Sequence, residues 1–273
     1  MEIFMPIAVL AVIAIISAVL LTLASTFFSV KENEKFAPIR DCLPGANCGA
    51  CGYSGCDAYA KALAEGRSEA TALCVPGGAD AARSIAEILG VKAGVVSERV
   101  AYVYCNGNCG TVERKYEYQG HKSCRTADMT YSGDKACAYA CLGYGDCAAV
   151  CPKGAIKIVD GVAKIDPTLC IGCGICVRTC PNNIIRLLDV ATRTAVTCSN
   201  RDKGAQTRKY CTNGCIGCGK CVRNCPQGAI ALMENLAVIN YNKCVNCGKC
   251  AEVCPTHCIH AVNFRCGKDF EGS

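Results

Sequence analysis

From Ile3 to Val30 the chain carries no charged side chain, and most of its residues are Ile, Leu, Val, Ala or Phe. As a helix this run would rise about 42 Å, more than the roughly 30 Å of hydrocarbon in a bilayer. Pro6 falls where a first helical turn tolerates it. A cleaved signal peptide is the alternative, but no basic residue precedes the run, which is far longer than the usual ~7–15 apolar residues. Residues 1–30 are therefore expected to form a single transmembrane helix. The flank after it, KENEKFAPIR, carries Lys31, Lys35 and Arg40, whereas the short amino end has no Lys or Arg. That asymmetry predicts a single-pass protein of the cell membrane with its carboxy-terminal part in the cytoplasm. With no ionisable group in the span, the helix is an anchor and not an ion path.

Beyond the anchor the pattern breaks into short pieces. Asp57 to Glu65 reads as a helix stopped by Gly66, and Ala79 to Leu89 as another stopped by Gly90. AIKIVDGVAKID alternates apolar and polar residues around Asp160-Gly161, and AIALMENLAVIN repeats the pattern with Asn235 near its turn. Both read as β-hairpins. The fold class expected is α+β: the anchor (1–30), a small mainly helical domain (31–99), and two tandem ferredoxin-like modules (100–200 and 201–273).

Composition changes the picture most. Of 273 residues 28 are Cys, none is Trp, and aromatics are limited to 11 Tyr and 6 Phe. So few large side chains cannot fill several apolar cores unaided, which leaves disulfides or metal centres to hold the fold. A reducing compartment favours metal-bound thiolates. The formal charge of +6 counts every thiol as neutral. Six four-iron clusters at about −2 each would bring the loaded chain to near −6, so the basic balance is no signal for nucleic acid. A hydrophobic content of 51% excludes disorder.

The cysteines repeat. The run C-x2-C-x2-C-x3-C-P occurs at Cys170, Cys173, Cys176, Cys180, at Cys215, Cys218, Cys221, Cys225 and at Cys244, Cys247, Cys250, Cys254; an altered run occupies Cys137, Cys141, Cys147, Cys151. Sliding the stretch 124–180 onto 198–254 superposes every one of its cysteines on another, Cys124 on Cys198 and Cys137 on Cys211 among them. This is a tandem duplication. In such runs three cysteines hold one Fe4S4 cube and the fourth, before Pro, ligates its neighbour. The expected sets are Cys151, Cys170, Cys173, Cys176; Cys137, Cys141, Cys147, Cys180; Cys225, Cys244, Cys247, Cys250; and Cys215, Cys218, Cys221, Cys254. Tyr144 stands where the second repeat has Cys218, and Cys137 is the nearest replacement. Zinc ribbons use two separated pairs, not three successive cysteines and a distant C-P, so iron–sulfur is the reading taken. A different site, Cys48-x2-Cys51-x4-Cys56-x17-Cys74, lies on a loop whose Gly49, Gly52 and Gly55 let backbone N–H groups approach sulfur.

An uncharged amino-terminal helix, then NCGACGYSGC with a remote Cys74, then ferredoxin repeats, resembles the B subunit of the Rnf complexes over essentially the whole chain. The resemblance implies four irons at the Cys48–Cys74 site. It also implies a role as the cytoplasmic component that takes electrons from reduced soluble ferredoxin, within an assembly that reduces NAD and moves Na⁺ or H⁺. Its partners would be an NADH-binding flavoprotein subunit, multispan membrane subunits and the membrane itself. The second ferredoxin repeat and Tyr144 depart from the shorter family members.

At least five [4Fe–4S] clusters are expected, and six where Cys105, Cys109 and Cys124, with Cys198 or Cys211, bind one more. Cys42, Cys258 and Cys266 are read as free thiols, and His121, His257 and His260 as structural. The basic stretch Arg193, Arg201, Lys203, Arg208, Lys209 suits either a solvated linker or an acidic partner. No G-x-G-x-x-G follows a strand, so NAD and flavin are expected on other chains, and no catalytic residue is expected here. Two other classes fit the motifs: a ferredoxin-type subunit of another membrane oxidoreductase, and a redox-sensing Fe–S protein.

Overall fold

The computed structural model describes residues 4–27 and 33–264, with side chains on 11–23 and 33–264. Cys266 and the ends of the expected anchor lie outside the described residues. Helix α1 (Phe4–Phe27) keeps 24 residues helical. Among the described residues no helix is long and apolar enough to cross a membrane. The side chains described on α1 are exposed, Leu20 and Ile15 by more than half.

A small helical unit follows: α2 (Phe36–Asp41), α3 (Cys56–Ala64) and α4 (Gly78–Leu89). Ile39, Tyr59, Leu63 and Ile85 are all but inaccessible and form its core with Cys56 and Cys74. Gly90 ends α4 at φ 73°, a left-handed cap that glycine adopts without strain.

The remainder is two copies of one plan. The first holds β1 (Arg99–Val103), α5 (Cys124–Asp128), α6 (Asp146–Ala149), β2 (Ile156–Val159), β3 (Val162–Ile165), α7 (Ile175–Thr179) and β4 (Ile185–Asp189). The second holds β5 (Thr194–Val196), α8 (Gly204–Tyr210), α9 (Lys220–Arg223), β6 (Ile230–Met233), β7 (Leu236–Ile239), α10 (Lys249–Glu252) and β8 (Ile259–Ala261). In each copy an inner hairpin, β2–β3 or β6–β7, lies beside an outer antiparallel pair, β1–β4 or β5–β8. The hairpins turn through Asp160-Gly161 and Glu234-Asn235, all with positive φ, the pairing that matches strand twist.

Strand pairing corrects the expected equivalence of the cysteines. Val103 pairs with Ile185, and Val196 pairs with Ile259, the residue that the duplication sets against Ile185. The spatial counterpart of Cys198 is therefore Cys105, just past Val103, and not Cys124. The stretch from Cys105 to Cys137 is much longer than the one from Cys198 to Cys211. The first copy thus carries an insertion, and Cys109 and Cys124 sit on it. Pairing also joins β5 to the second copy, although residues 194–196 fall in the range expected for the first.

The two copies meet along the ends of β1 and β5. Ser199 donates to the Tyr104 carbonyl at 3.0 Å, and the Tyr102 and Thr197 hydroxyls are 2.7 Å apart. The insertion bridges across: Thr212 N–H donates to Thr111 O at 3.0 Å and Glu113 N–H to Tyr210 O at 2.9 Å. The helical unit leans on the first copy, where the Arg178 guanidinium donates to the Cys48 carbonyl.

Candidate metal centres

Glycines two residues past Cys141 and Cys215 let those two loops close on the hairpins. A Cβ on Gly143 would lie 2.4 Å from Gly161 O, and one on Gly217 2.8 Å from Asn235 O, with φ of +78° and +63°. The loop around Tyr144 thus keeps the shape of the loop around Cys218 although its ligand is gone.

Cysteines line a series of hollows. Cys151, Cys170, Cys173 and Cys176 surround one of about 350 Å³. Cys225, Cys244, Cys247 and Cys250 surround its counterpart of about 340 Å³. Both groupings coincide with sets expected from spacing. A third hollow, about 360 Å³, is lined by Cys124, Cys141, Cys147 and Cys180. Cys137, the expected fourth member of that set, instead lines a hollow of about 320 Å³ with Cys105, Cys198 and Cys211. Cys215, Cys218, Cys221 and Cys254 lie close enough for their charges to act on one another, and so do Cys48, Cys51, Cys56 and Cys74. Among the described residues no group of three or more His, Cys, Asp or Glu is placed to hold a single metal ion.

The substitution of Cys124 for Cys137 has a clear cause. Tyr144 turns away to meet Tyr118 of the insertion edge to face at 5.6 Å. The same insertion delivers α5, whose first residue is Cys124. Asp146 anchors α5 by accepting the N–H groups of Cys124 at 2.9 Å and Arg125 at 3.1 Å and the Ser123 hydroxyl at 2.9 Å. Burial pushes the Asp146 carboxyl up, but these three donors outweigh it and hold it below the usual carboxylate range. Cys109 lines none of these four hollows; it is exposed beside Arg114.

Backbone donors converge on sulfur in matched pairs. Ala155 N–H donates to Cys151 Sγ and Ala229 N–H to Cys225 Sγ, both at 3.3 Å. Cys141 N–H donates to Cys105 Sγ and Cys215 N–H to Cys198 Sγ, again both at 3.3 Å. Such donors stabilise negative charge on sulfur. Six of the thiols are held neutral: burial pushes Cys137, Cys147, Cys176 and Cys198 up to about 12 and Cys141 and Cys221 to about 11. Donors aimed at sulfurs that will not ionise unaided suit a bound cationic iron core. The four-thiol donor sets and their hollows fit Fe4S4 cubes.

Two of the thiols read as free have defined neighbours. Cys258 is buried, with its Sγ 3.6 Å from Cys254 Sγ. Its hydrogen bond lowers Cys254 to about 4, against the opposing effect of burial. Cys42 donates to Pro38 O at 3.2 Å at the edge of the helical unit. His260 is half-buried in β8, and burial lowers its pKa.

Hollows ringed by four cysteines, on duplicated hairpin modules with N–H groups turned to sulfur, define an iron–sulfur protein of the ferredoxin class. Family comparison agrees: residues 43–76 match the family described as an Fe-S cluster, 163–186 a 4Fe-4S binding domain, and 214–258 a 4Fe-4S dicluster domain. The B subunit of the Na(+)-translocating ferredoxin:NAD(+) oxidoreductase complex of Acetobacterium woodii is 44% identical over 94% of this chain and 77% of its own length. The B subunit of the proton-translocating complex of Clostridium ljungdahlii is 40% identical over 87% of this chain and 84% of its own. The B subunit of an ion-translocating oxidoreductase complex of Methanosarcina acetivorans is 37% identical over 76% and 79%. The chain belongs to the B-subunit family of the ion-translocating ferredoxin:NAD oxidoreductase, or Rnf, complexes.

Proposed function

We propose that this chain is the electron-transfer subunit of an ion-translocating ferredoxin:NAD⁺ oxidoreductase, taking electrons from a reduced soluble ferredoxin and relaying them toward an NADH-binding flavoprotein and multispan membrane subunits. The observation that carries this reading is the succession of four-cysteine hollows with matched N–H donors. Five clusters belong to it: Cys48, Cys51, Cys56, Cys74; Cys151, Cys170, Cys173, Cys176; Cys124, Cys141, Cys147, Cys180; Cys215, Cys218, Cys221, Cys254; and Cys225, Cys244, Cys247, Cys250. A cube bound at such a site supplies one-electron oxidation and reduction with little rearrangement of its ligands. The polypeptide holds the thiolates apart, excludes water by burying most of them, and biases charge through its N–H groups. None of these roles requires a general acid, a general base or a nucleophile, so the bond chemistry belongs to other subunits.

Residues 1–30 act as the membrane anchor, with the rest on the cytoplasmic side. The uncharged run, the exposed apolar side chains of α1 and the basic flank at Lys31, Lys35 and Arg40 support that placement.

Mixing the anaerobically purified full chain with chemically reduced ferredoxin tests the proposal. Its visible absorbance should bleach within the stopped-flow mixing range and return on reoxidation. Cluster loss or a change of oligomeric state in place of reversible bleaching would support a redox sensor. Co-purification with a nickel or molybdenum subunit would place the chain in a different oxidoreductase.

A further inference from the structure

Lys135 belongs to the insertion side of the first copy and is 1% exposed. Its ammonium donates to the Gly107 and Gly161 carbonyls, both at 2.8 Å. Two neutral acceptors satisfy its hydrogen bonding but leave its charge uncompensated. Among the described residues Lys135 forms no ion pair. Asp134, the next residue in the chain, is equally buried, but it is paired with Arg114 at 2.8 Å. A buried cation with no anion beside it is costly, and the cost falls where a negative group is bound nearby.

The two acceptors show where that group would lie. Gly161 closes the β2–β3 turn onto Gly143, in the loop that starts at Cys141. Ala163, two residues past Gly161, donates its N–H to Cys141 Sγ at 3.4 Å. Gly107 donates its N–H to Cys105 Sγ at 3.4 Å, and the same sulfur accepts from Cys141 N–H at 3.3 Å. The ammonium is thus fixed to two backbone segments that both lead to Cys141. Burial raises the Cys141 thiol, and the Lys135 charge works against it.

The second copy closes the same turn without such a cation. Lys209, which the sequence repeat sets against Lys135, is exposed. The carbonyl equivalent to that of Gly161 is Asn235 O, and it meets the Cys215 thiol at 3.9 Å. Hairpin and loop still approach closely there, at Gly217. The turn itself therefore does not require a buried lysine.

We propose that Lys135 is the buried counter-ion of the cluster held by Cys124, Cys141, Cys147 and Cys180, and that its charge keeps the reduction potential of that cluster above the value the same ligands would give alone. The inference rests on the iron–sulfur reading above. Reduction adds one electron to the cube and moves no proton at Lys135. The ammonium favours the more negative, reduced form, so removing it lowers the potential. Lys135 is a positioning residue in this role: it touches no ligand and acts through its charge.

The test uses the anaerobic full chain with Lys135→Gln, Lys135→Met or Lys135→Arg, and Cys124→Ala to identify the paramagnetic signal of the site by its loss. In potentiometric titrations Gln and Met should move that signal to lower potential together. At a fixed ambient potential the reduced-to-oxidised ratio should fall about tenfold, a shift of ~59 mV for one electron. Arg keeps the charge and should leave the signal in place, and the remaining signals should move less. Gln retains an N–H donor for the carbonyls, so a purely structural Lys135 predicts a shift in Met alone. That result, or no shift in either, would overturn the proposal, as would a shift confined to a signal that Cys124→Ala retains. Loss of the cluster from Gln and Met but not from Arg would support it. Loss from all three would overturn it, because shape and not charge would then be what the site demands. A colourless unaltered chain would instead sink the iron–sulfur reading itself.

Discussion

At the scale of single residues, the instructive pair is Cys124 and Tyr144. Spacing along the chain treats the nearest cysteine as the substitute ligand and selects Cys137. The fold selects Cys124, because Asp146 fixes the start of α5 against the loop and Tyr144 turns to Tyr118. If Tyr144 occupies the backbone place of a ligand, Tyr144→Cys should make Cys124 dispensable. Cys124→Ser alone should lower iron by about four atoms per chain, and adding Tyr144→Cys should restore them. Iron analysis checks this directly; no recovery in the double variant would mean that the loop around residue 144 is not poised for ligation. The equivalence of Cys105 and Cys198 does leave a trace in the chain. Val103-Tyr104-Cys105 and Val196-Thr197-Cys198 share a strand-ending V-x-C, a signal overshadowed by the exact coincidence of Cys124 with Cys198 in the sequence repeat.

At the scale of elements, the hairpins were plain from the sequence because alternation and turn residues are local properties. Residues 156–165 and 230–239 form them in the same register. The outer pairs β1–β4 and β5–β8 were not legible. Val103 and Ile185, or Val196 and Ile259, lie far apart along the chain, and no local pattern records their pairing. What couples loop to hairpin is the close approach at Gly143 and Gly217. Gly143→Ala should therefore destabilise the holoprotein by about 1–3 kcal/mol from its left-handed backbone alone, with a further cost from the contact with Gly161 O. Gly228, at φ +57° with open space where its Cβ would lie, is the proper comparison, and Gly228→Ala should cost only that backbone contribution of about 1–3 kcal/mol, without the added contact. Denaturant midpoints measured under anaerobic conditions would separate the two, and equal losses would deny the loop–hairpin contact its role.

At the scale of the whole molecule, the modules have scant apolar interior apart from their sulfurs. Cysteines run through both of their main clusters of buried residues, alongside Ile156, Val162, Ile185, Ile230, Leu236 and Ile259. The helical unit is better supplied, with Ile39, Leu63 and Ile85 fully buried. Stripping iron with a strong chelator should accordingly abolish the strand signal of residues 99–264 in circular dichroism while leaving much of the helical signal of α1 and α4. Strand content that survives iron removal would show that thiolate–iron bonds are not what ties these modules together.

The insertion after Cys105 stitches the first module to residues 210–212, through Glu113 with Tyr210 and Thr111 with Thr212. During synthesis that module is complete in sequence by Asp189, yet its edge stays unpaired until Thr212 has left the ribosome. Maturation factors that deliver inorganic sulfur would therefore meet a half-closed nascent protein, and a gene cut between the repeats would yield two fragments with frayed, oxygen-sensitive seams in place of two working ferredoxins.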